Sequence, residues 1–354
     1  MSRAFAVVGP DRHGVVTHAL ALADASPDLR AHLVRVPASP LGAAPTGLVD
    51  DLAAHDAVML NVTDRIFGSS PAEAADILSE LAARTRLAVS LHDLPQPGEG
   101  HDRHERRRAA YGRIACSADL LIVASGYERE LLLRCVSDVD RPSVAPRVHV
   151  LPLPVGPRHD DAPPAPASNP GRVTDLAVLG FLYPGKGVEE VVDAAAILRA
   201  HGHEVGVTNY GGVADGHDDV VARLEERAAR VGVPFRVTGY LGDAELAVAL
   251  HATGVPVAAH RHVSASGSIN SWLTAGRRPV AVRGPYVTEL SRRLPGSVVV
   301  ADDLVESLSV ALQTPASTWL DPSVVLGPTA PDSAAEHLRL LESLESLDVR
   351  EATA

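Results

Sequence analysis

Short apolar runs alternate with stretches of helical periodicity along almost the whole chain. In the first half, Ala4–Val8, His32–Val36, Ala57–Val62, Leu87–Leu91, Leu120–Ala124 and Arg147–Leu151 read as strands, each bounded by polar or turn residues. Between them, Val15–Asp24, Pro71–Arg84, Arg103–Ser117 and Tyr127–Val136 carry apolar residues at helical spacing. A second series begins at Leu176. Its strands are Leu176–Leu179, Val205–Thr208, Phe235–Thr238, Val255–Ala258, Pro279–Val282 and Ser297–Val300. Its helices are Val188–Ala200, Asp218–Val231, Asp243–His251, Ser268–Ala275 and Asp302–Gln313, with helical periodicity again over Ser333–Leu347. Strand and helix in alternation predict parallel sheets covered on both faces, an α/β class with two Rossmann-like domains.

The two series are separated by GPRHDDAPPAPASNPGR, Gly156 to Arg172, which is proline-rich and aperiodic and is expected to be a linker. The expected organisation is an N-terminal domain over 1–155, the linker over 156–172, and a C-terminal domain over 173–320. A segment over 321–354 follows, with a helix able to pack back on the N-terminal domain. Two sheets joined in this way place a cleft between them, and open α/β sheets bind ligands at the carboxyl ends of their strands.

Composition narrows the function classes. A chain of 354 residues with 46% hydrophobic and 21% charged residues can build two ordinary globular cores. A net charge of −12 gives no nucleic-acid footprint. The two cysteines, Cys116 and Cys135, each fall in a predicted helix, so no disulfide framework is expected. The opening MSRAFAVVGPDRHG reads as a strand and turn, its apolar run too short for a signal sequence. No run reaches the roughly 18 apolar residues of a membrane span. A soluble, cytoplasmic protein is the expectation. The paired aspartates at 50, 160, 218 and 302 read as surface, linker or cap residues, so no metal is expected.

The stretch richest in chemistry is LAVLGFLYPGKGVEE, Leu176 to Glu190. A strand turns at Gly180 and Pro184-Gly185 and enters a helix, and in that turn stands Lys186, the only lysine of the chain. Glycines let a ligand approach the backbone, and a helix N-terminus beside an ammonium favours an anionic phosphate. An exposed loop lysine is the competing reading. Other strand ends carry Gly9-Pro10-Asp11-Arg12-His13-Gly14, Leu91-His92-Asp93, Asn209-Tyr210-Gly211-Gly212, and the polar loop from His260 to Asn270. His92 can act as a base, orient a hydroxyl, or be a satisfied histidine. The 260–270 loop can cradle a phosphate or sugar, or Ser266 and Ser268 can simply cap the following helix. The run His101–Arg108 can meet a phosphorylated acceptor or an anionic membrane surface, and reads more simply as the solvated start of a helix.

In this order the stretches resemble the retaining glycosyltransferases of the family-four type, which have the two-domain GT-B fold. That family's donor loop, roughly G-R-L-x-P-x-K-G, is matched by Gly180-Phe181-Leu182-Tyr183-Pro184-Gly185-Lys186-Gly187. Its later turn is matched by Ala275-Gly276-Arg277-Arg278-Pro279-Val280, its first glycine loop by Gly14, and its N-domain histidine by His92. The segment Tyr111–Glu130 resembles the strand that ends in a serine before a helix. The resemblance implies an acceptor domain, then a donor domain, and transfer from a nucleoside-diphosphate sugar, a UDP- or GDP-sugar, to an acceptor hydroxyl. It implies His92 and Lys186 as catalytic residues. Donor binding falls to Gly14, Gly180, Lys186, Tyr210, Gly211, Ser264, Ser266, Gly267, Ser268 and Asn270, and acceptor binding to His13 and Asp93.

Three of the family's charged donor residues are missing. Its two glutamates, eight residues apart, fall on Ser264 and Trp272, and its donor-loop arginine falls on Phe181. Either the serines and Asn270 replace the carboxylates, with Arg261 or His262 aiding the phosphates, or the chain is a non-catalytic partner or sugar-nucleotide-binding protein.

Overall fold

The computed structural model describes residues 2–11, 13–37, 42, 45–156, 174–214, 217 and 219–346. Apart from Gly156, the expected linker lies outside the described residues, as do Arg12, Asp218 and Leu347. The chain divides into two compact units, residues 1–154 with 328–354, and residues 155–327.

The first unit holds a parallel sheet of β1 (Arg3–Val8), β2 (Leu33–Val36), β3 (Ala57–Val62), β4 (Arg86–Leu91), β5 (Leu120–Val123) and β6 (Val148–Val150). The strand order is β2-β1-β3-β4-β5-β6, with all five pairings parallel. Strands covered on both faces need apolar residues at every position rather than every second one. AVMLNV of β3 is buried throughout, its single polar residue, Asn61, included. The helix Ala330–Ser343 belongs to this unit. It buries Ala334, His337, Leu340 and Leu341 along one stripe and packs on the helix Gly14–Ala25. Thr329 and Asp332 cap it reciprocally, the Asp332 carboxylate accepting from Thr329 N at 3.0 Å.

The second unit holds β7 (Thr174–Leu179), β8 (Val205–Tyr210), β9 (Phe235–Val237), β10 (Val255–Ala258), β11 (Val280–Val282) and β12 (Val299–Ala301). Its sheet, also wholly parallel, runs β12-β11-β10-β7-β8-β9. From β7 the chain winds outward through β8 and β9, then returns to lay β10 on the other side of β7. The winding direction therefore reverses between β7 and β10, the position at which open α/β sheets bind their ligands.

The short helices Pro27–Arg30, Leu48–Leu52, Asp64–Phe67 and Arg141–Val144 are absent from the sequence reading, and two further differences bear on the site and its unit. The helix Pro285–Arg293 is absent from that reading, because Gly284-Pro285 signals a turn. Proline is equally at home in the first turn of a helix, and here Tyr286, Val287 and Leu290 form a buried helical stripe behind it. Asn209 and Tyr210, expected in a turn, are the last residues of β8. Both are buried, the Tyr210 ring against the core and the Asn209 amide against the adjoining glycine turns.

Candidate functional site

The site in the second unit grows from the reversal between β7 and β10. β7 ends at Leu179, and Gly180 N donates to Tyr210 O at 2.8 Å, tying the loop to the end of β8. Asn209 Nδ2 donates to the Gly180 and Gly211 carbonyls at 3.1 Å each, so two glycine turns are fastened by one buried amide. The turn Tyr183–Lys186 then delivers the chain to the helix Val188–Ala200. Gly187, at φ 87°, stands so close to the end of β10 that a Cβ there would lie 1.8 Å from Ala259 O. No other residue permits that approach.

The approach brings Lys186 against His260. Lys186 is only 5% exposed, and its Nζ lies 3.0 Å from His260 Nε2 and 5.9 Å from the Tyr183 ring centroid. A Cβ on Gly180 would sit 2.8 Å from the same Nζ, so the amine rests directly on the glycine backbone. Among the described residues no carboxylate pairs with it. Burial lowers its pKa to about 7. His260 is 8% exposed, and burial, then the Lys186 charge, hold its pKa well below the ordinary value.

The 260–270 loop closes this end of the sheet. Ser264, Ser266 and Asn270 are buried, whereas Gly267 is exposed at the N-terminus of the helix Gly267–Thr274. Ser266 Oγ accepts from Ile269 N at 3.2 Å and lies 3.1 Å from Ser268 Oγ, so Ser266 does cap its helix. Arg261 pairs with Glu190 and Glu189, which turns its charge toward the helix Val188–Ala200. Tyr210 and Trp272 meet in the core with ring centroids 6.4 Å apart, and Trp272 is 1% exposed. Tyr210 therefore offers a ligand its backbone and not its ring. Phe181, by contrast, is an exposed aromatic on the loop after β7.

In the first unit, β4 ends beside β3, and His92 N donates to Val62 O at 2.9 Å. His92 Nε2 lies 3.0 Å from Asn61 Oδ1. With the Asn61 amide in this orientation the imidazole donates from Nε2; with the amide turned over, its buried and otherwise unpartnered Nδ2 donates to Nε2 instead. The next residue, Asp93, has φ 55°, in the left-handed region that a non-glycine residue rarely enters. Arg107 holds it there, donating to its carbonyl and, at 3.1 Å, to its carboxylate. The same guanidinium, 2% exposed, pairs with Asp64 at 3.2 Å and with Glu99, and lies 5.3 Å from the Tyr111 ring centroid. Reading His101–Arg108 as solvated thus fails for Arg107. The signal was Tyr111, one helical turn further on the same face. His13 caps the helix Gly14–Ala25, its Nδ1 accepting from Val15 N at 3.2 Å, and the space above Gly14 is open.

No protein-family model and no curated protein sequence matches the chain. Its structure is similar to that of HepE from Anabaena in complex with UDP and glucose, with a TM-score of 0.67 at 16% identity, covering 98% of this chain and 100% of that one. It is also similar to sucrose-phosphate synthase from Thermosynechococcus elongatus, with a TM-score of 0.62 at 17% identity, covering 97% and 96% of the two chains. This is the GT-B fold. HepE in complex with UDP-glucose gives a TM-score of 0.68 at 17% identity over 98% of this chain and 99% of that one.

Within this GT-B chain the candidate residues fall into two groups. Gly180, Lys186, Tyr210, Gly211, Ser264, Ser266, Gly267, Ser268 and Asn270 gather at the strand ends of the second unit. Gly14, His13, His92 and Asp93 gather at those of the first. Four side chains that bear on these sites were missed: His260, Asn61, His18 and His337. His18 packs edge-on against His92 at 5.4 Å, and His337 reaches the same place from the helix Ala330–Ser343. With Ser90, Leu151 and Pro154 they surround a cavity of about 10 Å³, room for a single water. Among the described residues no cluster of three or more histidine, cysteine or acidic side chains could hold a metal ion, and no helix is long and apolar enough to cross a membrane.

Burial lowers the pKa of His18 to about 4, that of His92 well below the ordinary value, and that of His337 in the same direction. Each folded pKa lies below the unfolded one, so the unfolded chain binds more protons between them and stability falls as pH falls. For His18 the window runs from about 6.5 down to about 4, worth about 3 kcal/mol at its acid end. Urea unfolding of the first unit's transition at pH 7 and pH 4.5 should show this loss, and His18→Leu should remove a clear part of the difference. An equal pH dependence in wild type and variant would remove His18 from the account.

Proposed function

We propose that this chain is a retaining glycosyltransferase that moves a sugar from a nucleoside-diphosphate sugar, a UDP- or GDP-sugar, to an acceptor hydroxyl. One observation carries the reading. The sole lysine is buried at the winding reversal of the second sheet, beside a helix N-terminus, with no carboxylate paired to it among the described residues. A buried ammonium needs an anion, and a diphosphate supplies one. The HepE complexes with UDP and UDP-glucose support a uridine nucleotide in a protein of this fold.

In this mechanism Lys186, with the backbone N–H groups of Gly267 and Ser268, stabilises the charge that grows on the leaving diphosphate. That compensation needs no metal. His92 holds or polarises the acceptor hydroxyl or the donor sugar, and His13 and Asp93 flank the acceptor. Retention follows from attack on the face the diphosphate leaves, with the diphosphate taking the proton. The reading places the enzyme in the cytoplasm.

A second reading is favoured by Trp272. At the position of the resembled family's second glutamate stands a core tryptophan, so one donor contact has been given up for packing. A non-catalytic sugar-nucleotide-binding protein would bear that loss.

Calorimetric titration with UDP, GDP, ADP and TDP, and with their glucose conjugates, separates these readings. Tight binding of one nucleotide together with sugar transfer or slow donor hydrolysis is the expected result. Binding without any turnover favours the second reading, and no binding by any nucleotide overturns both.

A further inference from the structure

The pairing of Lys186 with His260 has a consequence beyond anion binding. Val257 of β10 pairs with Val178 of β7, so the residues that follow Ala258 run alongside Gly180 and the donor loop. The register thus delivers His260 to the Lys186 amine. Every other charge near the pair is already engaged or distant from it. From the loop after β10, Arg261 is turned to Glu189 and Glu190, the two carboxylates at the start of the helix Val188–Ala200. From the turn comes the neutral Tyr183 ring, and β8 ends in Asn209, whose Nδ2 is spent on glycine carbonyls and whose Oδ1 is buried without a partner, and in the neutral Tyr210. The imidazole is the sole hydrogen-bond partner of Lys186 Nζ among the described residues, and its own Nδ1 is buried without a partner.

A 3.0 Å contact between an amine and an imidazole nitrogen has two chemically complete forms. An ammonium donates to the Nε2 lone pair, with the ring proton on Nδ1. Alternatively Nε2–H donates to a neutral amine, with the lone pair on Nδ1. We propose that His260 is the positioning residue for Lys186, and that the two form a proton-linked anion latch. Above pH 7 the amine of the free protein is held largely neutral against the imidazole. Arrival of a phosphate drives uptake of one proton from solvent, and the resulting ammonium donates both to the phosphate oxygen and to Nε2. The bonds balance without any other reactant: one proton enters, and the ring proton resides on Nδ1.

Burial supports the neutral form, since it lowers the lysine pKa to about 7. If only the ammonium binds the anion, apparent affinity falls about tenfold for each pH unit above that value. The identity of the anion as a sugar nucleotide rests on the function proposed above, but the latch itself can be tested without it.

Lys186 is the only lysine, so incorporation of carbon-13 lysine gives a single side-chain signal to follow by NMR. In the free protein its titration midpoint should fall near pH 7, and inorganic pyrophosphate or UDP should raise it by two units or more. His260→Gln keeps an acceptor oxygen, so it should move the free midpoint upward and flatten the pH dependence of UDP affinity above pH 7. His260→Leu removes the acceptor and should move the midpoint downward, with UDP affinity at pH 7.5 reduced at least tenfold. Opposite shifts in two variants cannot come from general loss of structure. A free midpoint at pH 10 or above, or one that neither variant moves, overturns the latch. UDP binding that leaves the midpoint unchanged overturns the latch and keeps the nucleotide reading. A midpoint raised by pyrophosphate but by no nucleotide supports the latch and removes the nucleotide reading.

Discussion

Lys186→Met is expected to cost the protein its diphosphate affinity and, in the absence of ligand, to make it more stable. The two effects have one cause. A buried ammonium without a carboxylate partner is an unfavourable arrangement that a bound phosphate offsets. Methionine matches the lysine stem in length and carries no charge to desolvate. The lysine pKa lies near 7 in the folded chain and near 10.5 unfolded, so between these values the unfolded state binds more protons. The cost of burying Lys186 is thus present in full below pH 7 and relieved as pH rises toward 10.5. The methionine variant should gain about 2–4 kcal/mol in urea unfolding at pH 6.5, a gain that fades by pH 10. Charge-assisted hydrogen bonds of about 1.5–3 kcal/mol imply a loss of nucleotide affinity between about tenfold and 150-fold at the same pH. A variant that is less stable than wild type at every pH would show that Lys186 is compensated by something other than a ligand.

Much of the scaffold could be read from the chain because buried parallel strands have a simple signature. LAVL and VPVA are continuous apolar runs, AVMLNV is one broken only at Asn61, and the helices Pro71–Arg84 and Val188–Ala200 begin and end at the residues their periodicity predicts. Two Rossmann-like domains follow from two such series in succession, and GT-B from the resemblance of their loops. What resisted reading was any residue whose meaning depends on a distant partner. His260 is one of several polar residues in a serine-rich loop until the β10–β7 register sets it against Lys186. Arg107 stands among charged neighbours, with Tyr111 one turn further as the one local sign of burial, and its partners Asp64, Asp93 and Glu99 are set by the fold. Asn61 is a polar interruption in an apolar strand, and nothing local links it to His92, 31 residues later. The 260–270 loop was legible as a choice between cradle and cap, and Ser266 takes the cap.

The stability of the second unit should depend most heavily on one further buried cation, Arg277. It is fully buried, and it has no carboxylate partner among the described residues. Its guanidinium is instead ringed by carbonyls. Nη1 donates to Leu250, His251 and Thr253 at 3.1, 3.2 and 2.7 Å, and Nη2 to Gly254 at 2.8 Å and to the Thr318 hydroxyl at 3.1 Å. Nε donates to Thr318 O at 3.3 Å, and the Trp319 ring lies 4.3 Å away. The first carbonyls are the unsatisfied C-terminal end of the helix Asp243–Ala252, where the helix dipole favours positive charge. The arginine therefore caps that helix and ties it to Gly254, at the entry to β10, and to Thr318. Burial lowers its pKa only to about 10, so it remains charged at neutral pH. Arg277→Met would keep the apolar stem but leave these carbonyls buried without donors, each costing about 1–3 kcal/mol before relaxation. Local relaxation and water entry make the sum far from additive, and a net loss of about 3–5 kcal/mol is expected. Arg277→Lys should recover only part of it, because three donors on a mobile stem cannot serve a ring that the planar fork reaches. Urea midpoints of the two variants decide the point. A methionine variant within about 1 kcal/mol of wild type would mean that the carbonyls find other donors and that the arginine is not the clamp of this unit.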